Sequence, residues 1–232
     1  MTAPMGPEAF ASAETGDWPA GQTIAHLGDA RIVLATRFGD WPRYHDGLLA
    51  AIAAAATDAH YMRRYIAAFG GTKVESPERW EHPAANLVCR RALAFCAAAL
   101  GSPVPHAFES WANVYRAGDY AMPHSHPAAT VSLLYVVDIG TDEAAGKDHT
   151  EDDPLSGHFA IVDPRYPACC KAEPGRVTNP VMPKLSPGMM LLFPGWLVHS
   201  VNPHRGTRPR ITMTWNVRLA AEPPGMQGSA VV

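Results

Sequence analysis

Two histidines separated by one residue, His124-Ser125-His126, sit between Pro123 and Pro127 just ahead of a strongly apolar, β-like run. Residues two apart in extended backbone project to the same face, roughly 6.5–7 Å from each other. Two imidazoles so placed can converge on one ion, at about 2.0–2.1 Å if that ion were zinc. The flanking prolines restrict the backbone and favour a fixed geometry. A third histidine, His199, follows the apolar stretch Phe193 to Val198, where an inward-facing polar group needs a partner. Arg210-Ile211-Thr212 then opens another apolar strand. Positions 210 and 212 share a strand face, and a guanidinium fork beside a hydroxyl suits a carboxylate. Each feature alone has a plainer reading. H-x-H arises by chance in a chain with 11 histidines, His199 could be a hydrogen-bonded core residue, and Arg210 a solvated charge. In combination they point to one metal ion held by His124, His126 and His199 on a small β-barrel.

The elements that must position these residues fall into two halves. Ala30 to Phe38 is β-branched enough for an opening strand. From Tyr44 to about Phe69 apolar residues recur at three- and four-residue spacing, which predicts a helix stopped by Gly70-Gly71. A second helix follows Pro83 and stops at Gly101. Beyond Pro105 short β-like runs alternate with Pro/Gly turns: Phe108–Arg116, Thr130–Asp138, His158–Val162, Val177–Met182, Met189–Phe193, Val198–Val201 and Arg210–Leu219. That pattern predicts a sandwich, jelly roll or barrel. The acidic insert Gly140 to Gly157 reads as a loop beside the barrel mouth. The expected organisation is a single domain over 1–232. Within it, 1–30 is a loose lead-in, 31–104 the opening strand and supporting helices, and 105–220 the β core.

Composition narrows the function classes. Hydrophobic residues make up 47% of the 232 and charged residues 18%, enough apolar surface for a core and too little charge for wholesale disorder. A net charge of -3 with scattered Lys and Arg gives no electrostatic footprint for nucleic acid. The apolar stretch Leu48 to Thr57 is too short to span a bilayer, and no basic segment followed by an apolar run opens the chain. A cytoplasmic protein is expected. Cys89 and Cys96 lie seven apart in a helical stretch while Cys169 and Cys170 are adjacent. Neither pair has zinc-site or disulfide spacing, so buried thiols in a reducing compartment are expected.

The ordered set of motifs resembles the iron(II)/2-oxoglutarate-dependent oxygenases of the double-stranded β-helix (jelly-roll or cupin-like) fold. It is most similar to a family within them with an H-x-H signature. The stretches that carry the resemblance are Trp111-Ala112-Asn113, Gly118, Pro123-His124-Ser125-His126-Pro127, Ser132 to Tyr135, Gly188 to Pro203, and Arg210-Ile211 through Asn216. They span roughly residues 108–219, about half the chain. The resemblance implies a mainly β fold packed by two N-terminal helices, with Fe(II) as metal and 2-oxoglutarate and O2 as co-substrates. It implies His124, His126 and His199 as iron ligands and Arg210, with Thr212 beside it, on the distal carboxylate of 2-oxoglutarate. Asn113, Tyr115 and Tyr135 are further candidates for holding that co-substrate. Most of the superfamily has a carboxylate where His126 stands, so this site carries one more positive charge than usual.

The substrate expected is a small molecule or a peptide side chain, with no nucleic acid or membrane partner and a homodimer as the possible assembly. Arg165, after Asp163-Pro164, is a candidate partner for an anionic substrate. Trp196, His158 and His204 are candidates around the mouth. Two other readings remain open. One is a cupin-like three-His dioxygenase or isomerase without 2-oxoglutarate, for which the Arg210/Thr212 fork has no use. The other is a non-catalytic ligand-binding β-barrel with structural histidines.

Overall fold

The computed structural model describes residues 16–27, 30–64, 70–101, 105–140, 155–162 and 182–219. Its strands are β1 (Ala25–Leu27), β2 (Ala30–Arg37), β3 (Met62–Arg64), β4 (Thr72–Glu75), β5 (Pro105–Tyr115), β6 (Ala121–His124), β7 (Val131–Asp138), β8 (Phe159–Val162), β9 (Met189–Pro194), β10 (Val198–Val201) and β11 (Arg210–Leu219). Two helices, α1 (Pro42–Ala55) and α2 (Pro83–Leu100), come before β5. The strands form an eight-stranded sheet, β1-β2-β9-β7-β11-β5-β4-β3, and a three-stranded sheet, β6-β10-β8. Every ladder is antiparallel.

Strand alternation divides the large sheet into two faces. Leu133, Tyr135 and Val137 of β7, Met190 and Leu192 of β9, and Met213, Trp215 and Val217 of β11 pack with the buried sides of α1 and α2. Leu134 and Val136, with Leu191 and Phe193, turn the other way and meet Phe159, Ile161 and Val201 of the small sheet. All eight residues of β7 are therefore buried, which is why its sequence is a continuous apolar run rather than an alternating one. The layers are helices, large sheet, small sheet, and the space between the two sheets holds the site.

Both helices start with proline in the first turn, where its missing N–H costs nothing. The His82 ring accepts from the Ala84 N–H to cap α2, and Gly101 ends it in the left-handed conformation. At 18 residues α2 is long and apolar enough to cross a membrane by length and composition. Here it is a core helix, with Leu87, Val88, Ala92, Phe95 and Cys96 in the hydrophobic cluster. Arg91 on the same helix is fully buried, paired with both Asp40 oxygens at 2.8 and 2.7 Å. It also donates to the Tyr44 hydroxyl at 3.1 Å.

Three expectations need correction. The helix predicted over Tyr44–Phe69 stops at Ala55. Beyond it the Thr57 hydroxyl bonds back to the Ala54 carbonyl and the Asp58 carboxylate accepts from the His60 N–H, so a turn wins over the apolar spacing. The chain then enters β3, and residues 65–69 lie outside the described set. Gly70-Gly71 are therefore no helix stop. Finally, the expected opening strand is present as β2, but the stretch before residue 105 also carries β1, β3 and β4, which with β2 make up the two edges of the large sheet. The predicted strand Val177–Met182 up to residue 181, most of the Gly140–Gly157 loop, Arg165, Cys169 and Cys170 lie outside the described residues.

Candidate metal and co-substrate site

β6 and β10 pair so that His124 stands directly opposite His199. The ring centroids are 4.3 Å apart, and His126 completes a triangle at 5.2 Å from His124 and 5.1 Å from His199. One candidate ligand atom from each ring lies within 4.8 Å of the other two. Loop geometry fixes His126: its N–H donates to the Gly195 carbonyl at 2.7 Å, and the Gly195 N–H to the Thr130 carbonyl at 3.1 Å. A Cβ at 195 would lie 2.2 Å from the Ala129 carbonyl oxygen and 2.6 Å from that of His126. Only glycine lets the two backbones approach this closely.

Hydrogen bonds preset two of the three rings. Nδ1 of His124 lies 2.7 Å from the Met122 carbonyl, and Nδ1 of His199 lies 2.9 Å from the Leu197 carbonyl. A carbonyl can only accept, so each Nδ1 carries the proton and each Nε2 is the unprotonated nitrogen. Burial and the neighbouring imidazoles push His199 down to about 3 and His126 down to about 4, and burial lowers His124 as well. All three are neutral near pH 7, the state that ligates a metal.

His126 is held differently. Its Nδ1 lies 3.5 Å from the Asn216 amide nitrogen. That amide donates to Glu109 Oε2 at 2.7 Å, and its oxygen accepts from Ser132 Oγ at 2.8 Å.

Behind the histidines, the register of the large sheet lines up the remaining candidates. Arg210 pairs with Tyr115 and Thr212 with Asn113, and Thr212 is flanked on its other side by Val136 of β7. Asn113, Tyr115, Thr212 and the three histidines all line one cavity of about 250 Å³, with Phe159, Phe193 and Trp111 among its walls. Arg210 sits behind that lining, 3% exposed, with its guanidinium 5.8 Å from the centre of the Tyr115 ring. Its Nη1 is buried without a hydrogen-bond partner. Burial brings its pKa down to about 10, so it remains charged at neutral pH. A buried, charged and unpaired guanidinium nitrogen calls for an anion.

Tyr135 does not belong to this group. It lies on the helix-facing side of β7, and its hydroxyl is 3.1 Å from that of Tyr44. The strand period decides this: Leu134 and Val136 face the cavity side, so the residue between them cannot. Trp196 is exposed and stands outside the cavity lining. His204 is buried, with Nε2 donating to the Arg208 carbonyl at 2.7 Å. Sequence reasoning missed Lys73 and the Gly70-Gly71-Thr72 stretch, which form part of the cavity wall. The usable signal was the glycine pair. Gly71 has φ +100°, and a Cβ there would come within 2.4 Å of the Tyr115 ring, a close approach rather than a helix stop.

The donor set fits a divalent iron, and the partnerless Arg210 Nη1 fits the carboxylate of a 2-oxo acid. Comparison with known proteins agrees. Residues 109–216 match the family described as "Putative 2OG-Fe(II) oxygenase". No curated protein is matched by the sequence. Among solved structures, the chain is similar to the carbocyclase SnoK from nogalamycin biosynthesis, described as non-heme and alpha ketoglutarate dependent. Identity is 12% over 97% of this chain and 91% of that one, with a TM-score of 0.59. It is also similar to the viral collagen prolyl hydroxylase of Paramecium Bursaria Chlorella virus-1 in its 2OG complex (12% identity, 83% and 98% covered, TM-score 0.53). A third is a Pseudomonas putida prolyl-4-hydroxylase (14% identity, 81% and 93% covered, TM-score 0.51). At these identities the likeness shows the fold, a mainly β, antiparallel double-stranded β-helix. Residues 109–216, just under half of this chain, thus match the 2OG-Fe(II) oxygenases, a family whose members use Fe(II), 2-oxoglutarate and O2.

Proposed function

We propose that this enzyme couples the oxidative decarboxylation of 2-oxoglutarate to the oxidation, in the first instance hydroxylation, of a small molecule or a peptide side chain. His124, His126 and His199 hold the iron. Arg210 anchors the distal carboxylate of 2-oxoglutarate, with Thr212, Asn113 and Tyr115 around it. The observation that carries the reading is the pairing of the two halves of the site. Three neutral imidazoles converge at one end, and a buried cation lacking a partner at Nη1 stands behind the adjoining wall.

Iron, 2-oxoglutarate and O2 together supply the oxidising chemistry, with succinate and CO2 as the co-acid's products. The protein's own contribution is placement and exclusion of water. Met122 and Leu197 carbonyls orient two of the imidazoles before any metal arrives. Phe159 and Phe193 flank His199 with ring centroids 5.4 and 5.0 Å away, keeping that side of the site apolar. A dry surrounding strengthens each polar interaction inside it. The cavity of about 250 Å³ suits a small substrate or a single side chain beside the co-substrate.

Uncoupled turnover tests this without knowledge of the substrate. Purified protein given Fe(II), 2-oxoglutarate and O2 is expected to release succinate slowly, and Arg210→Ala to release almost none at the same iron occupancy. Full iron occupancy with no succinate from the wild type would instead favour a three-His oxygenase that needs no 2-oxo acid.

A further inference from the structure

Resting on that reading, we infer that Trp111 is a positioning residue for 2-oxoglutarate, acting through the Asn113 amide, whose nitrogen it leaves toward the co-substrate. The two residues are two apart on β5, share one face of it, and both line the cavity. The indole N–H donates to Asn113 Oδ1 at 2.9 Å. An indole nitrogen donates and never accepts, so the amide oxygen is the atom that must face it. The amide nitrogen is left for the other side, where it lies 3.4 Å from Thr214 Oγ1 of β11, a long contact. Nδ2 carries two hydrogens and that contact engages at most one of them. The side chain therefore keeps a donor for an oxygen of the co-substrate.

The indole is itself fixed. It is 4% exposed, and the Lys73 ammonium, on which Glu75 and Glu109 act, covers its ring at 3.8 Å from the centre. Its other near neighbour is the His126 ring, 5.7 Å away between centroids. In the sheet register Tyr115 stands opposite Arg210, and Asn113 opposite Thr212. The cavity face of β5 thus runs Tyr115, Asn113, Trp111 from the Arg210 end of the site toward His126, with Asn113 in the middle. An amide has nearly the same shape either way round, so packing alone leaves its orientation open. A carboxylate or keto oxygen accepts and cannot donate, and so needs the nitrogen side. Trp111 makes that choice before the co-substrate arrives, which removes an ordering cost from binding. The contact also gives the Trp111-Ala112-Asn113 spacing a physical reason, since one intervening residue puts indole and amide on one face.

The test measures 2-oxoglutarate affinity by calorimetry on protein loaded with Zn(II), which prevents turnover. Trp111→Phe keeps a ring but removes the donor. It is expected to weaken 2-oxoglutarate binding by roughly three- to tenfold, the worth of one hydrogen bond, with Zn(II) affinity kept. In an Asn113→Ala background the same change should cost nothing further, because Trp111 acts through that amide. Asn113→Asp gives an independent reading. Its carboxylate still accepts from the indole but turns a second oxygen to the co-substrate, so affinity should fall in the order wild type, Asn113→Ala, Asn113→Asp. Unchanged affinity in Trp111→Phe, an equal loss in the Asn113→Ala background, or wild-type affinity in either Asn113 variant would overturn the inference. Loss of Zn(II) affinity in Trp111→Phe would also overturn it, by assigning the indole to His126. Should Trp111→Phe fail to fold, the order of the two Asn113 variants decides alone. Failure of the wild type to take up metal or 2-oxoglutarate would count against the proposed function itself, and is seen before any variant is compared.

Discussion

His124 and His199 face each other in register across the β6–β10 ladder, ring centroids 4.3 Å apart, each with Nδ1 held by the carbonyl two residues earlier. The third ring lacks such a bond. His126 instead looks at the Asn216 amide from 3.5 Å, and that amide is tied to Glu109 and Ser132. The amide nitrogen can only donate, so Asn216 orients the third ring from the far part of β11 but, unlike the two carbonyls, does not hold its proton on Nδ1. Groups behind metal ligands commonly contribute about 10–100-fold in affinity. Asn216→Ala is expected to weaken Fe(II) or Zn(II) binding by at least about tenfold, measured by competition with a chromophoric chelator, with the circular dichroism spectrum unchanged. Unchanged metal affinity would remove Asn216 from the site.

The Gly71 contact makes a second expectation. Its backbone at φ +100° lies against the Tyr115 ring, and a Cβ would meet that ring at 2.4 Å. Gly71→Ala should displace Tyr115 and raise the KM for 2-oxoglutarate about tenfold, with metal affinity kept. Steady-state kinetics with varied 2-oxoglutarate, alongside a metal titration, separates the two effects.

Much of this site could be read in the chain before folding was considered. The H-x-H pair, the distal histidine and the Arg-x-Thr pair each lie on a strand or at its end, where the two-residue period fixes which side chains share a face. Asn113 and Tyr115 are implied by the family resemblance, and the same period puts the two on one face of β5. Tyr135 shows the limit of that argument: the period is certain but its phase is not, and β7 is buried on both faces. Lys73 was invisible for a different reason. It reaches the cavity only because β4 pairs with β5, a contact between segments about forty residues apart that no local pattern encodes. The overlong first helix reflects a turn, built by Thr57 and Asp58, that alanine-rich spacing disguises.

The buried ion pair between Arg91 and Asp40 ties α2 to the start of α1, and Tyr44 links it on to Tyr135 of β7. Arg91→Ala would leave the Asp40 carboxylate, the Gly16 carbonyl and the Tyr44 hydroxyl each short of a partner. A loss of about 3–5 kcal/mol is expected on chemical denaturation. Arg91→Met, which fills the space, should still lose stability while Asp40 remains, and recover part of it when combined with Asp40→Leu. Additive losses in the double variant would contradict this account of the pair.

Cys89 and Cys96 are both buried on α2, and burial pushes their thiols up to about 12 and about 11. Neither should react with iodoacetamide in the native protein at pH 8, since the thiolate is the nucleophile. In the unfolded chain both ionise near pH 8.5. The stability they contribute is therefore complete below that pH and declines as pH rises through it toward their folded values. Mass spectrometry of the alkylated protein checks the first statement, and denaturation midpoints between pH 8 and 10 check the second.

The central claim is that His124, His126 and His199 hold an iron to which Arg210 delivers 2-oxoglutarate. Absorption spectroscopy under anaerobic conditions tests it most directly. Adding 2-oxoglutarate to the Fe(II)-loaded wild type should produce a visible metal-to-ligand charge-transfer band. That band should be lost at the same co-substrate concentration in Arg210→Ala, and His126→Ala should fail to retain the iron. Full iron occupancy with no band on adding 2-oxoglutarate, or a band of equal strength in Arg210→Ala, would contradict it.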